Sequence, residues 1–416
     1  MKAELFQRDG SRTVAKAIVA ARRVSANGDS VPERFLDVAS HRLKICHVIT
    51  GLGAGGAEMA LCRLLESLHA PNYEHSVIAL GGEAALSARA ARSAVVHHLH
   101  MRASRAGPGD ILRLRRALRH EHADLVHAWM YHAHLLTTLA VWGESAPHLW
   151  SIHHSLTDTG TDKPMTRVVM RLNALFSSRP QRILYASHLS ARQHEAYGFC
   201  KARTAVIPNG YDTDEFAPDP VQRARTRVAL ALPVDAVVVG MVARVHPTKD
   251  HANFLRAARL FLDGHPNACF VLVGDGATES NAELSRLIGA AGIGAHLRLL
   301  GRREDIPALN AAFDIATLSS RGEAFPNAIA EAMACGVPCV ATNVGDVPEI
   351  VGDTGEVVPP RDAPALAHGW AKLAALDDAG RRALGLRARQ HIIRHYSNGL
   401  RAHRYADLYS SLVLEH

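Results

Sequence analysis

What this chain lacks narrows it first. No stretch approaches the ~20 consecutive apolar residues that a membrane span requires, although 48% of the residues are hydrophobic. Residues 1–42 are polar, arginine-rich and poorly patterned, and contain no apolar segment of the kind that forms the heart of a secretory signal. The expectation is a cytoplasmic protein whose N-terminal extension is poorly ordered or peripheral. A weak helical pattern over residues 13–24 reads as a frayed leader or as a helix touching a membrane surface. The six cysteines, Cys46, Cys62, Cys200, Cys269, Cys335 and Cys339, show no zinc-ligand spacing. Cys335 and Cys339 bracket a turn into a buried strand, so reduced core thiols are expected. The formal charge of +7 suits phosphate-bearing substrates, an anionic membrane surface or nucleic acid. Neither a helix-turn-helix pattern nor an aromatic-and-basic sheet motif accompanies it, which argues against nucleic acid.

What is present is a repeated strand-and-helix alternation. A chain of 416 residues exceeds one core and implies two domains. LKICHVIT, HSVIAL, AVVHHLHM, ADLVHAW, LWSIHH, RILYAS and TAVIP are short apolar runs separated by helical or loop segments, the pattern of a doubly wound parallel sheet. The turn at Pro208, Asn209 and Gly210 and the proline-rich FAPDP read as an interdomain linker, after which AVVVGMVARV begins a second parallel sheet. The reading is α/β, with domains at 43–215 and 216–393 and a C-terminal helix over 394–416 whose packing face is Tyr396, Tyr405, Leu408 and Tyr409.

In such sheets ligands sit beyond the carboxyl ends of the strands, so strand-end residues are the candidates. After the first strand comes GLGAGGAEMALCRLLESL. Its glycines let backbone amides approach a phosphate, or merely permit close helix packing. GLGAGG from Gly51 matches a dinucleotide fingerprint by letters, but no acidic residue closes a second strand at the required distance. His127, and the pair His153 and His154, fall at strand ends and are placed on the ligand-facing rim. His127, His132 and His134 invite a metal reading, yet lack a carboxylate or cysteine partner, so no metal is expected. Arg244 stands at the end of the first strand of the second domain, and Lys249 five residues further, just before a helix. In isolation two such cations are more often solvated. Together at a sheet mouth they suit a departing diphosphate, whose charge grows as the bond breaks.

The stretch 299–360 carries the strongest signal. A loop SSRGEAFPN leads into a short helix, Asn327 to Ala334, with Pro326 near its start and Gly336 placed to end it. The first-turn amides of that helix have no internal partners and carry the positive dipole end. Glu323 in the loop and Glu331 in the helix offer two acceptors at different depths, which suits a polyol. VPCVATNVGDVPEIV repeats the pattern, with Gly345 beside Asp346 and Glu349.

The spacing Glu323-x7-Glu331, the AFPN between, EAMACGVPCVATNVGDVPEIV and GEVVPP resemble the C-terminal half of retaining glycosyltransferase family 4, which is of GT-B fold and uses nucleotide-sugar donors. The resemblance implies two Rossmann-like domains facing a central cleft, with the C-terminal helix crossing back to the first. It implies that Gly55 and Gly56 face the donor phosphates and that His153, or His154, stands near the donor sugar. It also implies that Arg244 and Lys249 hold the pyrophosphate, that Arg302 and Arg303 border the nucleoside base, that Glu323 with Ala324, Phe325, Pro326 and Asn327 receives the sugar, and that Glu331 binds the ribose. The expected reaction is transfer of a hexosyl group from a nucleoside diphosphate sugar, UDP or GDP being the expected nucleotides, to an acceptor hydroxyl with retention at the anomeric carbon. No metal or other cofactor is required, since the protein supplies the cations. Arg244, Lys249, Glu323 and His153 are the catalytic candidates. The loop SLTDTGTDKPMTR is an acceptor-side candidate, and polysaccharide or lipid-linked glycan synthesis (exopolysaccharide included), with peripheral contact at an anionic inner membrane face, is the expected setting. A sugar-nucleotide epimerase of the same fold, a nicotinamide-dependent oxidoreductase and a basic nucleic-acid-binding protein are the alternatives.

Overall fold

The computed structural model describes residues 42–68, 72–102, 105–144, 146–156, 164–323 and 325–415. The N-terminal extension over 1–41, most of the candidate acceptor loop and Ala324 therefore lie outside the described residues. The chain forms two compact units, residues 1–208 with 398–416, and residues 209–397.

The first unit alternates strand and helix. In order these are β1 (Leu43–Ile49), α1 (Gly56–Ser67), β2 (Tyr73–Ala79), the single turn α2 (Ser87–Ala90), β3 (Val95–His98), α3 (Pro108–Glu121), β4 (Leu125–Trp129), α4 (Tyr131–Ala140), β5 (His148–Ile152), α5 (Pro164–Phe176), β6 (Arg182–Tyr185), α6 (His188–Tyr197) and β7 (Thr204–Val206). All pairings are parallel, in the order β3-β2-β1-β4-β5-β6-β7. Strands buried on both faces read as apolar runs and not as alternation, and β1 has no exposed position. The order reverses between β1 and β4, so the loops after those two strands diverge to opposite faces and leave a crevice.

The second unit contains α7 (Pro220–Ala229), β8 (Val238–Val242), α8 (His251–Leu262), β9 (Cys269–Val273), α9 (Ala282–Ala291), β10 (Leu297–Leu299), α10 (Ile306–Ala312), β11 (Ile315–Leu318), α11 (Asn327–Ala334), β12 (Cys339–Thr342), α12 (Val347–Val351), β13 (Glu356–Val358), α13 (Ala363–Ala374) and α14 (Asp378–Tyr396). Its parallel sheet runs β10-β9-β8-β11-β12-β13, with the reversal between β8 and β11. Residues 209–215, read from the sequence as the end of the first domain, pack here. Tyr211 is buried in this core, donates its amide to the Tyr396 carbonyl at 2.8 Å and bridges to Ser397.

α14 and α15 (Asn398–Glu415) are separate helices, and the break divides the expected C-terminal packing face. Tyr405, Tyr409 and Leu408 pack with the first unit's core, whereas Tyr396 packs with the second's. All six cysteines are free and five are buried, Cys200 being the partly exposed one. Burial pushes the Cys46, Cys335 and Cys339 thiols up to about 12, which leaves them unreactive at neutral pH. Among the described residues no helix is long and apolar enough to cross a membrane.

Candidate active site

The second unit's reversal point brings three loops to one edge. β8 and β12 flank β11, so the segments 243–250, 319–323 and 343–346 leave the carboxyl edge side by side. Side chains then lace the first two together. Lys249 Nζ donates to Glu323 Oε1 at 2.5 Å, and Ser320 Oγ donates to the same oxygen at 2.6 Å. Arg321 forks onto the Asp250 carboxylate at 2.7 and 2.9 Å and donates its amide to the Thr248 carbonyl at 2.7 Å. Ser319 Oγ donates to the Lys249 carbonyl at 2.8 Å, and Thr342 Oγ1 to the Ser320 carbonyl at 2.7 Å.

Asp250 holds this arrangement from below. It is buried, sits in the left-handed region at φ 49°, and caps α8 by accepting the Asn253 amide. Asp tolerates that conformation because its short side chain bonds locally. The Lys249 and Glu323 side chains, 23% and 8% exposed, are mostly withdrawn from water, so each depends on the other for its charge partner. Arg244, two residues beyond β8, is exposed. It is a cation free to meet an incoming anion.

Helix α11 begins where the sequence placed it. Pro326 precedes it and no side chain caps its start; the Asn327 amide instead turns back to the Phe325 carbonyl at 3.0 Å and the Ile329 amide to the Pro326 carbonyl at 3.2 Å. Its end is a Schellman closure, with the Gly336 amide bonded to the Met333 carbonyl and that of Val337 to Ala332. Gly336 has φ 75°, the left-handed value that glycine adopts without strain. Glu331 lies half-buried on this helix. Asn327 is exposed, and its Oδ1 accepts the Tyr211 hydroxyl at 2.8 Å and the Asn209 amide at 3.3 Å. That leaves its amide nitrogen directed elsewhere. Phe325 is buried between Tyr211 and Tyr396, with centroids 6.2 and 6.1 Å away. Arg303 is exposed and forked onto Asp305 at 2.7 and 2.6 Å, so its guanidinium is already engaged.

The first unit has its own reversal-point cluster. Gly55 precedes α1, and a Cβ built on it would lie 2.2 Å from a Glu58 carboxylate oxygen. Glu58 thus folds back over the helix start, while nothing lies within 4 Å of a Cβ on Gly56. Gly56 is the open position. His153 follows β5 and stacks on Trp129 at 5.3 Å and 12°, whereas His154 is exposed. Met130, next to Trp129 in sequence, adopts φ 68°, ψ 163°, a region that is essentially glycine's and that clusters at functional sites. Its sulfur accepts the His153 amide at 3.5 Å.

His127 is not on the rim. It lies within β4, fully buried, between the Tyr409 hydroxyl at 2.8 Å and Ser151 Oγ at 2.6 Å. The apolar run extends past it to Trp129, and the strand continues with the run. His134 bonds the Ser151 carbonyl at 3.0 Å and stacks on Trp150. His127 and His134 therefore serve the core. Among the described residues no three His, Cys, Asp or Glu side chains converge on a point.

Two family profiles cover this arrangement, glycosyl transferases group 1 over residues 236–375 and glycosyltransferase family 4 over 54–215. The chain belongs to glycosyltransferase family 4. It is 28% identical over 240 residues to an Escherichia coli UDP-Gal:alpha-D-GlcNAc-diphosphoundecaprenol alpha-1,3-galactosyltransferase, covering 56% of this chain and 62% of that protein. It is 27% identical over 423 residues to a D-inositol 3-phosphate glycosyltransferase of Salinispora tropica, covering 93% of this chain and 87% of the other. Among solved structures, Anabaena HepE in complex with UDP and glucose superposes with a TM-score of 0.73 at 22% identity, over 89% of this chain and all of that one. Each unit of this glycosyltransferase thus has the parallel α/β architecture of the GT-B fold. The alignment to the first relative spans about three fifths of that protein's length.

Ser320, Tyr211 and Met130 carried no sequence signal of their own, and Asn209 read only as part of a turn. The strain at Met130 is a backbone property that composition does not encode.

Proposed function

We propose that this glycosyltransferase moves a hexosyl group from a nucleoside diphosphate sugar to an acceptor hydroxyl with retention at the anomeric carbon. The observation that supports this reading best is the Lys249–Glu323–Ser320 cluster at the carboxyl edge of the second sheet, just before the start of α11, which no side chain caps. Glu323 Oε1 is saturated by Lys249 and Ser320, so Oε2 receives the sugar hydroxyls. The segment Phe325 to Asn327, with the exposed Asn327 side chain, orients the ring, and Glu331 takes the ribose hydroxyls. Arg244 and Lys249 meet the leaving diphosphate, whose growing charge makes their stabilisation greatest in the transition state. With cations supplied in this way, the reaction proceeds without a metal.

On the acceptor side, Gly56 contacts donor phosphate and His153 lies beside the sugar. Front-face attack is preferred because no second carboxylate is assigned to a covalent step. UDP is the favoured nucleotide, given the UDP-galactose donor of the Escherichia coli relative and the UDP bound to HepE. A lipid-linked or polysaccharide acceptor at an anionic membrane face fits the formal charge of +7 and the lipid-linked acceptor of that relative.

The test is a panel of nucleotide sugars screened by thermal stabilisation. A donor at about 100 times its Kd adds roughly 2.7 kcal/mol. Turnover of that donor should release nucleoside diphosphate, fall at least about 100-fold in Glu331→Gln and Arg244→Ala, and give a product of unchanged anomeric configuration by NMR. Release of free sugar nucleotide epimer without an acceptor would instead favour the epimerase reading. Full activity in both variants would remove the site.

A further inference from the structure

Helix α5 carries a second apolar stripe on the side turned away from the core. Val169, Met170 and Asn173 face inward and are buried. Met165, Val168, Leu172 and Leu175 are 49%, 49%, 37% and 73% exposed. Their spacing of three, four and three residues confines them to an arc of about 80° on one helix face. Arg167 and Arg171, both exposed, continue that outward face, and the helix contains no acidic residue. At its C-terminal end Phe176 meets Trp142 edge-on at 6.0 Å, Trp142 is 46% exposed, and the Arg179 guanidinium lies 4.1 Å from its ring centre. Single exposed apolar side chains need no explanation, but a stripe of four extended by an indole does.

We propose that α5 docks this glycosyltransferase on an anionic lipid bilayer. Met165, Val168, Leu172 and Leu175 enter the boundary between headgroups and acyl chains, and Arg167 and Arg171 meet lipid phosphates. The proposal deepens the membrane-face part of the preceding reading by naming the surface. Charge selects the occupant. A second copy packing through a two-fold axis would set Arg167 and Arg171 near their own counterparts, whereas a bilayer rich in anionic headgroups attracts each of them. A helix with one apolar and one cationic strip, flanked by a tryptophan, is suited to the interfacial layer, where an amphipathic ring has an apolar body and a polar tip.

The experiment is co-sedimentation of the full chain with phosphatidylcholine vesicles, with and without about 30% phosphatidylglycerol, at low salt and at roughly 0.5 M salt. Wild type should bind the anionic vesicles about tenfold more tightly, and lose that margin in high salt. Leu172→Ser with Leu175→Ser, and separately Arg167→Ser with Arg171→Ser, should each weaken binding about tenfold. Their melting curves and their stabilisation by UDP should match wild type. That readout needs no turnover, so it stands or fails independently of the assigned reaction. Equal binding to both vesicle types, or unchanged binding in both variants, overturns the proposal. So does a dimer in sedimentation velocity that the leucine variant dissociates, because the stripe would then belong to a second copy.

Discussion

The proposed chemistry rests on two side chains that are weak signals apart. Lys249 and Glu323 lie far apart in sequence and on different loops, yet Nζ and Oε1 are 2.5 Å apart. Holding Lys249 in this way fixes a flexible four-carbon stem before the donor arrives, so less ordering entropy is lost on binding. The expected consequence is strong coupling. Glu323→Gln and Lys249→Met should each lower kcat/KM by at least about 100-fold, and the double variant should lose little more than the worse single one, since groups that act as a unit are not additive. Additive losses in a double-mutant cycle would show the two acting separately. Tyr211 belongs to the same scale as a positioning residue. Its hydroxyl, at 2.8 Å from Asn327 Oδ1, fixes which face of the Asn327 amide is presented. Tyr211→Phe should raise the donor KM several-fold at nearly constant kcat, with a stability loss of about 1 kcal/mol. A lower melting temperature with unaltered KM would make the contact structural only.

Among the elements, α11 and α14 meet at a contact that only glycine allows. A Cβ on Gly385 would lie 1.8 Å from the Gly336 carbonyl oxygen, and that oxygen belongs to the backbone that closes α11. Gly385→Ala must therefore push the helix that carries Glu331, at a cost of about 1–3 kcal/mol. Gly289, exposed in α9 with nothing within 4 Å of its Cβ position, is the control. Gly289→Ala should stabilise by roughly 0.5–1 kcal/mol through helix propensity. Chemical denaturation of both variants checks the pair, and equal effects would refute the packing argument. The sequence alone gives both glycines the same reading, a helix weakened by glycine. The difference arises because close approach between two backbones is set by which helices become neighbours.

Over the whole chain, the first unit buries histidine where the second buries mainly apolar residues. Burial lowers His47 and His127 well below the ordinary value, and lowers His134 to about 3 and His194 to about 4. The folded unit holds these rings neutral, while the unfolded chain protonates them near 6.5. Their contribution is complete above that pH and is lost as pH falls from about 6.5 toward the folded values. At pH 5 the loss is on the order of 2 kcal/mol for His134 and for His194. Calorimetry between pH 7.5 and 5 should show an early transition that moves down with acid, and His194→Gln should reduce its slope. A melting temperature that is flat over this range would contradict the assignment.

How much was legible follows from the same physics. The two parallel sheets were written in the spacing of apolar runs, because a strand covered on both faces has no polar alternation to hide it. The extent of α11 was written in Pro326 and Gly336, whose backbone preferences act locally. Arg244, Glu323 and Glu331 are proposed as site residues from the family resemblance of the motifs that hold them. The position of His127 was misread because a run of apolar letters does not say where along it the strand passes from core to rim. Ser320 on the Glu323 oxygen, Tyr211 behind Asn327, the strain at Met130 and the outward stripe of α5 were settled only when separate segments met. Sequence by itself determined the local conformations and the kinds of chemistry available. The tertiary structure decided which groups share a hydrogen bond and which face is left uncovered, because both are properties of neighbours that the chain order does not specify.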